Sequence, residues 1–226
     1  MDAPDADVAE LDRGLAFIRT VNRRLGGTRA VLAHMEPWLA AWPASQPLTV
    51  LDVATGSADI PLALAYRAKS LGRKARIMAL DMHATTLQFA RRHIGHDHPI
   101  QLLRGDATRL PFADNSVDFV ISSLFFHHLT TPQATGALKE MVRVVRHGLI
   151  VSDLVRSRWA MVAIQMLTLF SPRLHRHDAR VSVAKGWTKD EVLSMASSAG
   201  ASYARYHPRR FARFTLAGLA APIGGD

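Results

Sequence analysis

The amino-acid sequence predicts an α/β protein built on a doubly wound, mostly parallel seven-stranded sheet with an antiparallel edge hairpin. Three observations lead to it. Five short apolar runs alternate with helix-length amphipathic stretches across residues 48–155, a pattern that requires right-handed crossovers and a sheet covered on both faces. The first run enters a small-residue turn and leaves it as a helix, in "VLDVATGSADIPLALA" from Val50 to Ala65. The chain then closes with a capped helix and two strand-like runs at hairpin spacing.

Taken in order, Asp12 to Leu39 carries helical periodicity in two pieces, "LDRGLAFIRTVNRRL" and "TRAVLAHMEPWLAAW", broken at Gly26-Gly27. Residues 1–45 are thus an N-terminal helical cap on a single domain spanning residues 1–226. Strands are expected at Leu48 to Val53, Arg76 to Leu80, Ile100 to Leu103, Val117 to Leu124 and Leu149 to Val155. Helices fall near Ile60 to Leu71, Thr85 to His93 and Gln133 to Val145. A helical insertion at residues 156–186 holds the apolar stretch "WAMVAIQMLTLF", Trp159 to Phe170, flanked by Arg156, Arg158, Arg173 and Arg176. In "GWTKDEVLSMASSAGA", Thr188 and Glu191 have capping-box spacing and Gly200 can end the helix. Strands near Ser202 to His207 and Phe211 to Leu216, joined by a short turn with Pro208, form the hairpin.

Composition narrows the chemistry. The 226 residues are 48% hydrophobic, enough for one full core. The absence of cysteine removes disulfides, thiolate catalysis and thiolate metal sites, and suits a reducing cytoplasm. The acidic start, "MDAPDADVAELDRG", lacks the pattern of a secretory signal. A net charge of +9 admits nucleic acid, anionic lipid at the inner membrane surface, or a plain basic exterior. The one dense cluster, "RYHPRRFARF", reads better as a half-exposed strand than as a nucleic-acid patch. "WAMVAIQMLTLF" is too short to span a bilayer, which takes roughly 20 apolar residues. It suits a substrate lid, a membrane-surface helix or a buried helix.

The open turn points to a nucleotide-like ligand, since small residues let it approach the backbone. Phosphates fit poorly. A dinucleotide fingerprint aligned on Gly56 would need glycines where Ala54 and Asp59 stand, and no Gly-Lys-Ser/Thr follows. Acidic residues recur instead at the first three strand ends: Asp52, Asp81 and Asp106. Asp81 can accept both hydroxyls of a ribose, Asp106 an adenine amino group beside the Ala107 backbone, and Asp52 can orient a cationic amine. A ligand with ribose, adenine, ammonium and sulfonium groups fits that series.

At these residues the chain resembles the class I S-adenosylmethionine-dependent methyltransferases, and among them those of ubiquinone and menaquinone synthesis. "LDVATGSAD", "ALDMHATTLQFARRH", "GDATRLPFADNSVDFVISSLFFHHL" and "ALKEMVRVVRHG" carry the resemblance in order over about Leu48 to Val155. It implies a Rossmann-like methyltransferase fold that uses S-adenosylmethionine and leaves S-adenosylhomocysteine. It also implies that Asp52, Ala54 and Gly56 form the first cofactor motif. Asp81 and Met82 meet the ribose side, Asp106 and Ala107 the adenine, and Ser123 the methionine moiety. Ala54 and Ala58 replace glycines of many relatives, a cheap change if their backbone angles are ordinary. "VRHG" replaces a Lys-Pro-Gly-Gly turn.

His127 and His128 follow the fourth strand, where the family places substrate-facing residues, and either can take a proton from a phenol or enol. Ser122, Ser123, Leu124 and Phe125 lack the Asn/Asp-Pro-Pro-Tyr/Phe-type motif of amino-methylating DNA enzymes, so nucleic acid is disfavoured. No metal is expected: Asp153 stands alone in "VSDLV", and the histidines of "HIGHDHP" and "HRHD" fall in loops without matched partners. The expected substrate is a hydrophobic aromatic small molecule, a phenolic, quinol or polyketide-like ring methylated on oxygen. Carbon methylation of a quinone precursor, a nucleic-acid methyltransferase and a non-catalytic cofactor-binding module are the alternatives. The sequence sets no oligomeric state.

Overall fold

A computed structural model describes residues 8–95, 98–157, 181 and 183–223. Helices α1 (Val8–Arg24) and α2 (Gly27–Ala41) lead into β1 (Leu48–Val53), α3 (Asp59–Ser70), β2 (Ala75–Asp81), α4 (Ala84–Ile94) and β3 (Ile100–Arg104). After β4 (Val117–Ser123) come a 3-10 turn at Phe126–His128, α5 (Thr131–Val144) and β5 (Val145–Leu154). Helix α6 (Lys189–Ser198) precedes β6 (Arg205–Arg209) and β7 (Arg213–Leu219). The strands make one sheet in the order β3-β2-β1-β4-β5-β7-β6. The first five run parallel, and β7 and β6 add an antiparallel edge.

Strand alternation supplies both core layers. Leu48, Val50, Ile77, Ala79, Phe119 and Ile121 pack under α2, α3 and α4, against Met35, Leu39, Leu64 and Ile94. Leu51, Val53, Met78, Leu80, Val120 and Leu149 point the other way, against Leu138 and Met141 of α5 and Val192 and Met195 of α6. Burial on both faces explains why the parallel strands read as nearly continuous apolar runs. Chain order reverses between β1 and β4, and the loops leaving these neighbours in opposite directions open a crevice at the carboxyl ends of the strands.

The break between α1 and α2 has two physical causes. Gly26 takes a left-handed φ of 76°, and a Cβ on Gly27 would stand 2.5 Å from Asn22 Oδ1 and 2.9 Å from Arg213 Nη1. At α6 the capping box forms in both directions: Glu191 N–H donates to Thr188 Oγ1, and Thr188 N–H donates to Glu191 Oε2.

Several expectations change. β5 begins at Val145, directly after α5, so "VRHG" is strand and not a turn. Without the proline of the family's turn each residue keeps its N–H, and Arg146 is held by Asp118 at 2.5 Å. Pro208 lies inside β6, opposite Phe214, where an edge strand tolerates the missing donor. The hairpin turns at 210–212, with Phe211 and Ala212 both at positive φ. Arg213, expected on a half-exposed strand, is 2% exposed. His93 belongs to α4 rather than a loop and meets Arg19 Nη1 at 2.8 Å. Most of the 156–186 insertion, with Trp159 to Phe170 and "HRHD", lies outside the described residues. Among the described residues no helix is long and apolar enough to cross a membrane.

Candidate functional site

A cleft of about 460 Å³ occupies the crevice between β1 and β4. Leu15, Ile18 and Asn22 of α1 close one side, and the β1–α3 turn, the end of β2, the loop after β3 and the β4–α5 connection form the rest. Asp52, Ala54, Gly56, Asp81, Met82, Asp106, Ala107 and Ser123 all border it, as does His128.

Asp81, the last residue of β2, joins two turns. Its Oδ2 accepts the Gly56 N–H at 3.1 Å and its Oδ1 the His83 N–H at 3.0 Å, leaving each oxygen capacity for a further donor. Asp52 lies inside β1, 2% exposed, and accepts the Thr55 hydroxyl at 2.6 Å. Asp59, the first residue of α3, accepts from Ser57 Oγ at 2.9 Å and from Asn22 Nδ2 at 3.2 Å, which ties α1 to the turn. Burial raises all three carboxyls above their ordinary range. Asp52 is pushed up to about 8, first by burial and then by Asp59 and Asp81, against the opposing Thr55 hydrogen bond. Three crowded acids of this kind favour a cation, whose charge relieves both desolvation and mutual repulsion. Asp106 sits two residues beyond β3 on an exposed turn, its Oδ1 accepting from Thr108 N–H and Oγ1, both at 2.8 Å.

Ala54 and Ala58 do not have ordinary backbone angles. Their φ values are 58° and 56°, in the left-handed region where a Cβ costs roughly 1–2 kcal/mol. The turn keeps its open shape at the expense of strain. Leu124, just past β4 and also on the cleft wall, has φ 55°, a further strained residue of the kind that collects at functional sites.

The two histidines part company. His128 borders the cleft, whereas His127 is buried behind it and does not line it. His127 Nδ1 is 2.6 Å from Asp153 Oδ1, and its backbone N–H donates to Asp153 Oδ2 at 3.1 Å. Burial opposes the charge on Asp153, yet His127 and the hydrogen bonds hold its carboxyl below the usual range. Asp153 is thus partnered across the fold and not alone as its local sequence suggests. Among the described residues no group of three or more His, Asp or Glu side chains could hold a metal ion.

Asn22, Asp59, Leu124 and Asp153 escaped sequence reasoning. Asp59 had a signal, a third acid beside the open turn, but it was weighed only as a misfit for phosphate. Asn22 and Asp153 reach their partners across 37 and 26 residues, with no local pattern to mark them.

The donor set suits the ligand implied by the series of strand-end acids. Carboxylate acceptors line the cleft, and Ser123 Oγ, buried on its wall, has no hydrogen-bond partner among the described residues. A family model described as a methyltransferase domain matches residues 50–148. Demethylmenaquinone methyltransferase of Staphylococcus epidermidis is 38% identical over 98 residues, a match spanning 43% of this chain and 39% of that protein. The chain therefore spans about two fifths of that relative. Its counterpart in Bacillus pumilus is 29% identical over 174 residues, 70% of this chain and 72% of the relative. A SAM dependent methyltransferase from Aquifex aeolicus superposes with a TM-score of 0.61 at 18% identity, over 96% of this chain and 100% of that one, which shows the shared fold. Residues 50–148 thus match a methyltransferase domain, and the sheet order gives the chain the fold of the solved methyltransferases.

Proposed function

We propose that the protein methylates a hydrophobic phenolic or quinol-type ring, on oxygen, with His128 removing the hydroxyl proton. The observation that carries this reading is the division of the cleft: carboxylates at the strand ends on one side, and His128 among Leu124, Phe125 and Leu129 on the other. In this assignment Asp81 accepts the ribose hydroxyls, with Met82 beside it. Asp106 and the Ala107 backbone meet the adenine edge. Asp52 faces the ammonium, Gly56 leaves room for close approach, and Ser123 donates near the methionine moiety.

S-adenosylmethionine, when bound, supplies an electrophilic methyl carbon on a sulfonium. The protein's share is alignment, water exclusion and proton removal. Leu15 and Ile18 of α1 cover the cleft with apolar surface, and α1 acts as the cofactor lid in this reading, hinged at Gly26-Gly27. A neutral imidazole at the cleft wall can take the phenolic proton as the nucleophile forms. The relatives' name, demethylmenaquinone methyltransferase, favours a quinone-related ring, and a carbon acceptor on such a ring is the second reading.

His128→Ala, assayed on a panel of phenols and naphthoquinols, tests the assignment. The rate should fall by about 10²–10⁴-fold, with S-adenosylhomocysteine affinity kept. A near-wild-type rate would remove the general base. ¹³C-methyl labelling of the product then separates oxygen from carbon acceptors.

A further inference from the structure

We propose that Asp153 and His127 are a buried positioning pair that fixes the His128 ring at the cleft wall. This rests on the reading of His128 as the proton acceptor.

The 3-10 turn at Phe126–His128 is short, held by His128 N–H to Phe125 O and Leu129 N–H to Phe126 O, both at 3.0 Å. One turn of backbone hydrogen bonds is a weak foundation for a ring that must meet an acceptor proton. Asp153 reinforces it from β5. Its two oxygens take the ring and the backbone N–H of the same residue, His127, and the Leu154 N–H donates to Oδ1 at 2.7 Å. The turn is thereby pinned to the sheet at a side chain that is 0% exposed. The pinned His127 ring in turn stands against His128, with centroids 4.1 Å apart and planes inclined by 39°.

A buried cation stands beside the Asp153 carboxyl. Arg213 of β7 is buried and interacts with both Asp153 and Asp59, and it donates to Asn22 Oδ1 at 3.3 Å. Asp153 therefore has a cation on the β7 side and His127 on the other, while His128 meets the cleft. Such a buried carboxylate is costly unless its partners stay in place, and this makes the arrangement rigid. Rigidity matters because a misplacement of about 1 Å at the reacting group can cost about 10²-fold in rate.

A double-mutant cycle tests the pair: wild type, Asp153→Asn, His128→Ala and the double variant, with 1,4-naphthohydroquinone as acceptor and S-adenosylhomocysteine titrated separately. Asp153→Asn should lower kcat about 10- to 100-fold while the S-adenosylhomocysteine affinity stays within about twofold, and it should have no further effect on kcat in the His128→Ala background. Equal losses in both backgrounds would overturn the positioning role and leave the base assignment standing. Unchanged kcat in His128→Ala would overturn both. Should the naphthohydroquinone not react, side-chain NMR of the S-adenosylhomocysteine complex decides: Asp153→Asn should shift and broaden the His128 ring signals, and unchanged signals contradict the pairing. If Asp153→Asn does not fold, His127→Asn takes its place in the cycle, since it keeps a donor toward Asp153 and deletes the ring against His128.

Discussion

If Asp52 pairs with the ligand's ammonium as proposed, raising the pH from about 6 to about 8 should strengthen cofactor binding by about 50-fold, because the carboxyl must first lose a proton. Asp52 is sealed inside β1, and its carboxyl is pushed up to about 8, first by burial and then by Asp59 and Asp81. With that value the ionised fraction is about one in a hundred at pH 6 and about one half at pH 8, a ratio of about 50. Folding runs the other way. The folded value lies above the unfolded one, so the folded protein binds the extra proton, and its contribution to stability declines as pH rises from about 4 through about 8. Calorimetric titration with S-adenosylhomocysteine at several pH values, in buffers of different ionisation enthalpy, measures both affinity and proton release. Near pH 7 about 0.9 proton should leave per ligand bound. Asp52→Asn should flatten the profile. An affinity flat from pH 6 to 8 in the wild type, with no buffer-dependent heat, would refute the reasoning.

Other outcomes follow from the same geometry. Ala58→Gly and Ala54→Gly should each raise the melting temperature, since relief of roughly 1–2 kcal/mol of left-handed strain exceeds the roughly 0.5–1 kcal/mol entropic cost of glycine; lower melting temperatures would contradict the strain. Gly27→Ala should destabilise the fold, measured by urea unfolding, because its Cβ would fall 2.5 Å from Asn22 Oδ1. His34, in contact with Thr215 Oγ1 and Arg209, is pushed down to about 4, chiefly by burial and then by Arg209 and His207. Its folded value lies below the unfolded one, so its contribution is complete above about 6.5 and lost as pH falls through about 4. Urea titrations across that window should show the decline, and His34→Gln should reduce it.

What could be read from sequence tracks how local the physics is. The five parallel strands were legible because burial on both faces makes Val50–Val53 and Val117–Ile121 apolar but for the buried Asp52 and Asp118. The place of Asp52, Asp81 and Asp106 on the cleft wall was legible because sheets of this kind open a crevice at the carboxyl ends of their strands. The left-handed angles of Ala54 and Ala58 were not, since nothing about an alanine announces a positive φ. His127 and His128 are adjacent in sequence and could not be told apart until the 3-10 turn sent one inward to Asp153 and the other to the cleft. Arg213 looked like a surface residue because its neighbours in "RRFARF" are basic, while the carboxylates that make its burial tolerable, Asp153 and Asp59, lie far away in the chain.

The central claim is that the cleft between β1 and β4 takes S-adenosylmethionine through its strand-end carboxylates. The most direct measurement is calorimetric titration of the wild type and Asp81→Asn with S-adenosylhomocysteine, with NAD as control. The account predicts saturable one-to-one binding of S-adenosylhomocysteine, weakened by about 1.5–3 kcal/mol in Asp81→Asn through loss of a charged hydrogen-bond acceptor, and no binding of NAD. Binding of NAD, absence of heat with S-adenosylhomocysteine, or an Asp81→Asn variant that binds as tightly as the wild type would contradict it.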